Sequence, residues 1–151
     1  MIGLTFKTPN EYGSVLYQIL RSVNVLSYDW MIIADDIIPS RGSNNSGLFC
    51  SEVVDGQYFL NSIMREGYYT IFVDVKAFPQ GGAPKSILSF DDFINSECLM
   101  ILLCVDSCYY SFYCKDSGIL STVYGNCSKV GFEKICFIPA EEATNREMVA
   151  W

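Results

Sequence analysis

The chain of 151 residues contains no histidine. Histidine is the commonest general acid or base near neutral pH and the commonest protein ligand of transition metals. Its absence excludes catalytic triads of the Ser-His and Cys-His kinds. Cys-x-x-Cys pairs are also missing, and the nearest two cysteines are Cys104 and Cys108. We therefore predict no metal site and no cofactor.

Charged residues are scarce, at 18% of the chain against about 25% in a typical protein. Acidic residues predominate, so the net charge is −7 and the sequence pI is about 4.4. This charge repels nucleic-acid phosphates and anionic lipid head groups, and no cluster of Lys or Arg offsets it. We expect neither a nucleic-acid nor a membrane partner. The same charge steers a basic protein surface toward this one.

Long apolar runs and export signals are lacking as well. The longest apolar run, residues 98–105, is far shorter than the ~20 residues that a membrane-spanning helix needs. The first residues lack the charged and apolar regions of a secretory signal. Seven cysteines is an odd number, which argues against a closed disulfide framework. These features predict a cytoplasmic protein.

Hydrophobic residues make up half of the chain, which is long enough to bury one core. Alternating or continuous apolar segments predict strands, and three- to four-residue apolar spacing predicts helices. The expected strands are 2–8, 28–34, 68–78, 98–105, 108–114 and 132–138, with a short edge strand at 146–151. The expected helices are 12–23, 55–67 and 116–129, with one capped turn at 89–95.

This order of segments mixes crossovers with hairpins. It predicts an α+β fold in one domain, residues 1–151. The expected architecture is a mixed, mostly antiparallel sheet of about five to six strands covered by two or three helices.

Our leading functional hypothesis is a non-enzymatic binding protein of the inhibitor, immunity or anti-defence type. It occupies a partner protein through an acidic, aromatic surface. Two observations suggest where: the acidic pair Asp35-Asp36 lies beside the polar loop 40–47, and Tyr109 and Tyr113 share one face of a strand. Tyrosines with rings in the core fit the pattern equally well. The candidate contact residues are Asp35, Asp36, Arg41, Asn44, Asn45, Tyr109 and Tyr113.

Two alternatives stay open. A small-ligand binder, such as a nucleotide or signalling-molecule sponge, would use aromatic rings to stack a base and cations or backbone amides to meet phosphate. Its candidate residues are Trp30, Tyr68, Tyr69 and Lys85. A histidine-free hydrolase would use the carboxylates of Asp35, Asp36 and Asp74.

Two further motifs do not predict a site. Residues 80–86 contain glycines before Lys-Ser but lack the spacing of a phosphate-binding loop, and Pro84 precedes the lysine. Cys114 lies next to Lys115 near a helix start and is the one candidate for a reactive thiol. A plain strand-end cysteine is the favoured interpretation.

Three sequence motifs carry a resemblance. The opening Ile-Gly-Leu-Thr-Phe-Lys-Thr-Pro-Asn-Glu-Tyr-Gly at 2–13, Cys-Lys-Asp at 114–116 and the terminal Val-Ala-Trp are similar to a family of small uncharacterised proteins of Bacillus-type bacteria and their phages. The resemblance covers most of the chain. It implies a bacterial or phage-borne cytoplasmic protein and carries no activity with it.

Overall fold

A computed structural model describes residues 1–150 and contains one seven-stranded sheet. The strands are β1 (Gly3–Lys7), β2 (Tyr28–Ile38), β3 (Val53–Val54), β4 (Tyr69–Pro79), β5 (Met100–Val105), β6 (Tyr109–Cys114) and β7 (Glu133–Ile138). Their order across the sheet is β3-β2-β4-β5-β6-β1-β7. Every neighbouring pair is antiparallel.

Within residues 1–150, five helices accompany the sheet: α1 (Val15–Leu20), α2 (Gly56–Ile63), α3 (Phe90–Ile94), α4 (Ser117–Lys129) and α5 (Ala140–Ala143). Side-chain caps explain where three of them begin. Asp55 caps α2, Asp116 caps α4, and Ser89 with Asp92 forms the expected capping box of α3. Each cap satisfies backbone N–H groups that have no partner within the helix.

The two faces of the sheet are covered differently. The first face packs against α1, α2 and α4, and its core includes Leu4, Val75 and Leu102. The second face is covered by a smaller cluster, which contains α3, Ala143 of α5 and Met148 near the chain end. Strand β5 lies at the centre of the sheet and is buried on both faces, as its unbroken apolar sequence predicts.

The hairpin between β5 and β6 is also confirmed. Its two turn residues, Asp106 and Ser107, have φ angles of 51° and 71°. Two consecutive positive φ values match the right-handed twist of the flanking strands, and aspartate tolerates this conformation better than most residues. The turn therefore fixes the register of the hairpin.

The predicted numbers of strands and helices are wrong. The sheet has seven strands instead of five or six, and five helices are present instead of two or three. The missed elements are short, since β3 has two residues and α5 has four, and α3 was expected only as a single capped turn. A periodic pattern needs a longer segment to show itself.

The chain end departs from its prediction too. Residues 146–150 do not form an edge strand, and one isolated bridge joins Glu147 to Ser89. Trp151, the last residue of that predicted strand, lies outside the described residues. Within residues 1–150, no helix has both the length and the apolar character to cross a membrane.

Candidate functional site

Part of the second face is not covered by any helix of residues 1–150. Five strands each contribute one side chain to a row across it, which we call the open strip: Asp36, Phe72, Val105, Tyr109 and Lys7. Three of its four neighbouring contacts are paired positions, Asp36 with Phe72, Val105 with Tyr109, and Tyr109 with Lys7. Phe72 and Val105 each lie one residue beyond the paired residues Val73 and Cys104, so they are opposite each other on the second face, while Val73 and Cys104 lie on the first.

The open strip has an apolar middle and charged ends. Tyr109 is 51% exposed, and Phe72 and Val105 are half-buried. Asp36 is exposed at one end, while the ammonium of Lys7 lies 5.7 Å from the centre of the Tyr109 ring at the other. Exposed apolar side chains bordered by opposite charges are suited to binding and give a bound molecule a defined direction.

A β-bulge decides that Asp36 belongs to this face. Ile32 pairs with Val75 on the first face, but Ala34 pairs with Asp74 on the second, so Ile33 is an extra residue in β2. The bulge reverses the alternation of side chains beyond it. Asp35 then points to the first face and Asp36 to the second, so the two neighbouring carboxylates do not converge.

Asp35 holds the loop between β2 and β3 in place through hydrogen bonds. Its carboxylate accepts hydrogen bonds from the backbone N–H of Leu48 at 2.7 Å and of Phe49 at 2.8 Å. Burial raises the pKa of Asp35 above its ordinary value, and the two backbone donors oppose this rise. Asp35 is therefore a structural residue, and its oxygens are already engaged.

A shallow cleft lies between that loop and the sheet. Ala34, Asp35, Asp36, Ser46 and Phe72 line it, and its volume is about 490 Å³. The cleft opens beside the Asp36 end of the open strip. A second cleft of about 290 Å³ lies at the Lys7 end, where Thr5, Val105, Tyr109 and Lys134 contribute to its walls.

An aromatic and cationic cluster flanks the loop on another side. The Arg41 guanidinium lies 4.6 Å from the centre of the Tyr12 ring, which packs against the Tyr69 ring at 5.1 Å. The Tyr69 hydroxyl donates to the side chain of Asn10. Arg41 and Tyr69, both predicted as candidate binding residues, therefore meet through Tyr12, which was expected at the start of a helix.

The carboxylates proposed for hydrolysis do not form a shared open site. Asp74 is completely buried and accepts a hydrogen bond from the Lys76 ammonium at 2.5 Å, while its other oxygen has no partner within residues 1–150. Asp35 is bound to the loop. No group of three or more Cys, Asp or Glu side chains in the described chain is placed to hold a metal ion.

Sequence comparison gives this molecule its relatives. The profile of the family described as "Protein of unknown function (DUF2691)" matches residues 1–149. The chain belongs to this family. It is 34% identical over 148 residues to the "Uncharacterized protein YncE" of Bacillus subtilis (strain 168), with 97% of each chain covered. No solved structure matches it.

The resemblance to uncharacterised proteins of Bacillus-type bacteria is thus confirmed. Neither description names an activity, so function has to be argued from the molecule itself. The open strip and its two clefts are the features from which that argument starts.

Three of the predicted site residues are buried, and their predicted surface roles need correction. Trp30 is stacked on Phe59 with ring centres 3.9 Å apart, and its indole N–H donates to the Val25 carbonyl. The Tyr68 hydroxyl accepts from the Leu16 N–H and donates to the Ile63 carbonyl. Tyr113 is 1% exposed beneath the second cluster. These rings complete the core instead of facing a ligand.

The remaining predicted residues are dispersed. Asn44 and Asn45 are exposed in the loop, and the backbone N–H of Asn45 donates to the Ser43 hydroxyl. Lys85 is exposed in a separate cleft with Phe78 and Glu97. Burial raises the pKa of the Cys114 thiol to about 11, which favours the plain strand-end interpretation of this cysteine.

Sequence reasoning found two of the five residues of the open strip, Asp36 and Tyr109, and missed Lys7, Phe72 and Val105. Alternation within each strand indicates which of its residues share a face. It does not reveal that β1 lies beside β6 or that β4 lies beside β2. Strand order was the missing information.

Proposed function

We propose that the protein is a non-enzymatic binding protein whose partner is another protein, contacted through the open strip. In the form we favour, it occupies and blocks the partner's surface, as an inhibitor or immunity protein does. The observation that carries the proposal is the apolar middle of the strip, where exposed Tyr109 adjoins half-buried Phe72 and Val105 on a part of the sheet that α3 and α5 leave uncovered.

Charge and shape support a protein partner. The strip runs across five strands, about 19 Å at the usual strand spacing, which is broad for a small molecule. The net charge of −7 favours approach of a basic surface. Tyrosine is enriched among the residues that dominate binding energy, and Tyr109 is the exposed aromatic side chain of the strip.

Site-specific photo-crosslinking in cells tests this proposal. A benzophenone amino acid replaces Tyr109 in the full chain, and a matched variant carries it at Tyr58, an exposed tyrosine of α2. We expect one defined protein adduct from position 109 and none of the same mass from position 58. Asp36→Lys should weaken that adduct, and the cross-linked segment of the partner should be basic.

Equal adducts from both positions, or an adduct that Asp36→Lys leaves unchanged, contradict the proposal. An absence of any adduct at position 109 contradicts it as well. Native mass spectrometry of protein taken directly from cells covers the small-ligand alternative. A retained small mass favours that alternative, for which the 490 Å³ cleft is the structural support because small-ligand sites have similar volumes.

A further inference from the structure

The two edges of the sheet differ in how their backbone hydrogen-bonding groups are paired. At the β2 edge, β3 pairs with Trp30 and Met31. Residues of the loop between β2 and β3 form further backbone hydrogen bonds with β2. The Gly47 N–H donates to the Ile37 carbonyl at 2.7 Å, and the Ile32 N–H donates to the Glu52 carbonyl at the same distance. At the other edge, no strand of residues 1–150 pairs with the outer side of β7.

Backbone alternation identifies which groups of β7 point outward. The Thr8 N–H donates to the Cys108 carbonyl on the β6 side, so Leu4 and Phe6, the even-numbered residues of β1, direct their backbone N–H and C=O groups toward β6. The odd-numbered residues Gly3 and Thr5 therefore face β7, where they pair with Ile138 and Cys136. Ile135 and Phe137 alternate with Cys136 and Ile138 along β7, so they direct their N–H and C=O groups away from the sheet.

The side chains of this edge leave it weakly protected. Natural edge strands avoid unwanted pairing with charges, prolines and bulges. Here Lys134, with a φ of 54° at the bulge, protects one end, but residues 135–138 carry no charge. Phe137 is 40% exposed and stacks on the half-exposed Tyr124 of α4 at 4.8 Å. The edge offers both unpaired backbone groups and an apolar surface.

We propose that a second copy of this chain pairs with this edge, β7 against β7 in antiparallel orientation, with the two-fold axis at Cys136. The reason for choosing a second copy is self-complementarity. The outward residues Ile135 and Phe137 flank Cys136 symmetrically, so each Ile135 meets the partner's Phe137. All four outward backbone groups of each strand are then hydrogen-bonded, and the apolar side chains form two equivalent cross-strand pairs.

This register also brings the two Cys136 residues opposite each other. Their own N–H and C=O groups face β1, so they form a non-hydrogen-bonded pair, in which Cα atoms lie about 4.5 Å apart. That separation lies within the range a disulfide spans. Cys136 and Cys50 are the exposed cysteines, and the other five are buried. A second exposed cysteine thus supplies an internal control.

The pairing involves one short strand from each copy, so the dimer should be weak and dependent on concentration. It does not rest on the proposed function, because the pairing uses the outward groups of Ile135 and Phe137, which are not part of the open strip. If photo-crosslinking at Tyr109 fails, the dimer is unaffected, and the converse holds.

Sedimentation velocity of the reduced full chain over a wide range of concentration tests the association. We expect a monomer–dimer equilibrium that Phe137→Lys weakens at least about tenfold. Leu88→Lys, the same replacement at an exposed leucine outside β7, should leave it unchanged. Monomer at every concentration, or a dimer that survives Phe137→Lys, overturns the proposal.

Disulfide trapping tests the register of the pairing and does not require the Phe137→Lys variant. Diamide takes two electrons and two protons from a pair of thiols, becomes the hydrazine and leaves the disulfide. We expect dimer linked through Cys136 in wild type and in Cys50→Ser, and none in Cys136→Ser. Peptide mapping that instead finds Cys50 links as readily as Cys136 links indicates random collision and overturns the register.

Discussion

The ion pair of Asp74 and Lys76 is the most demanding arrangement of single residues in this protein. Both side chains are 1% exposed or less, and they lie two positions apart on the same strand, so they share the second face of β4. Burial raises the pKa of Asp74, and the neighbouring Lys76 ammonium opposes this rise. Charges buried in this way are tolerated because they are paired.

We predict that Lys76→Met destabilises the protein by about 3–5 kcal/mol, because it leaves the Asp74 carboxylate buried without a counter-charge. Urea unfolding measures the loss. The double variant Asp74→Leu/Lys76→Met should recover most of it, since no charge then remains to be buried.

The pH dependence of the single variant has a definite sign. Asp74 has a folded pKa above its ordinary value, so its contribution to stability is present below the unfolded pKa and is lost as pH rises through the folded pKa. Lys76 lowers this pKa, so its removal raises the folded pKa of Asp74 further. Lys76→Met should therefore regain stability relative to wild type on acidification. A deficit that stays constant with pH would show that lost packing, and not the stranded charge, causes the effect.

Among single residues, the capping box of α3 was predicted correctly, whereas buried aromatic residues were not recognised. Ser89 was predicted from local spacing to cap the turn at 89–95, and it caps α3. Tyr68 was predicted at a ligand surface, but its hydroxyl lies between the start of α1 and the end of α2. A cap depends on residues three positions away, whereas the partners of Tyr68 are far along the chain or in another element.

At the scale of elements, the loop that follows β2 depends on Asp35 for its position. The carboxylate accepts the backbone N–H groups of Leu48 and Phe49, and Leu48 packs into the core of the first face. Asp35→Ala leaves both N–H groups without these acceptors, and we expect a loss of stability of about 1–3 kcal/mol. We also expect faster amide hydrogen exchange at residues 47–49.

The neighbouring residue provides a matched control for this prediction. Asp36 is exposed on the opposite face, so Asp36→Ala should leave the free energy of unfolding within about 0.5 kcal/mol of wild type. Amide exchange in the loop should also be unchanged. Partner binding through the open strip should respond in the reverse way, with Asp36 variants affected directly. Equal exchange rates in the two variants would contradict the structural role that we assign to Asp35.

Element boundaries illustrate why local patterns were only partly informative. The apolar stripe from Tyr12 to Val23 predicted a helix of twelve residues, but α1 spans only Val15–Leu20. Gly13 is instead held by two backbone hydrogen bonds to Tyr68, and Ser22 has a φ of 68°. Tertiary contacts shortened a helix that the spacing alone would have extended.

At the scale of the molecule, the antiparallel sheet and its cover of helices follow from the segment pattern, but strand order does not. The open strip exists because β1, the first strand, lies between β6 and β7, the last two. The bulge at Ile33 then places Asp36 on the same face as Tyr109. Neither the position of β1 nor the bulge has a local sequence signature, since each depends on strands that are distant in the chain.

Buried thiols make the whole molecule sensitive to alkaline pH. Burial raises the pKa of Cys98 and Cys127 to about 12 and that of Cys104 and Cys114 to about 11, from an ordinary value of 9.0. In the unfolded chain these thiols ionise near the ordinary value. The stability that they contribute is therefore present below pH 9 and is lost as pH rises toward the folded pKa values.

We predict that the unfolding free energy of the reduced protein falls with pH above 9, each buried thiol adding up to about 1.4 kcal/mol per pH unit. Urea unfolding at several pH values measures the slope. Cys127→Ala removes one thiol, so its slope should be shallower than that of wild type, whatever constant loss its cavity causes. Tyrosine ionisation is common to both proteins, so parallel curves for wild type and Cys127→Ala would contradict the prediction.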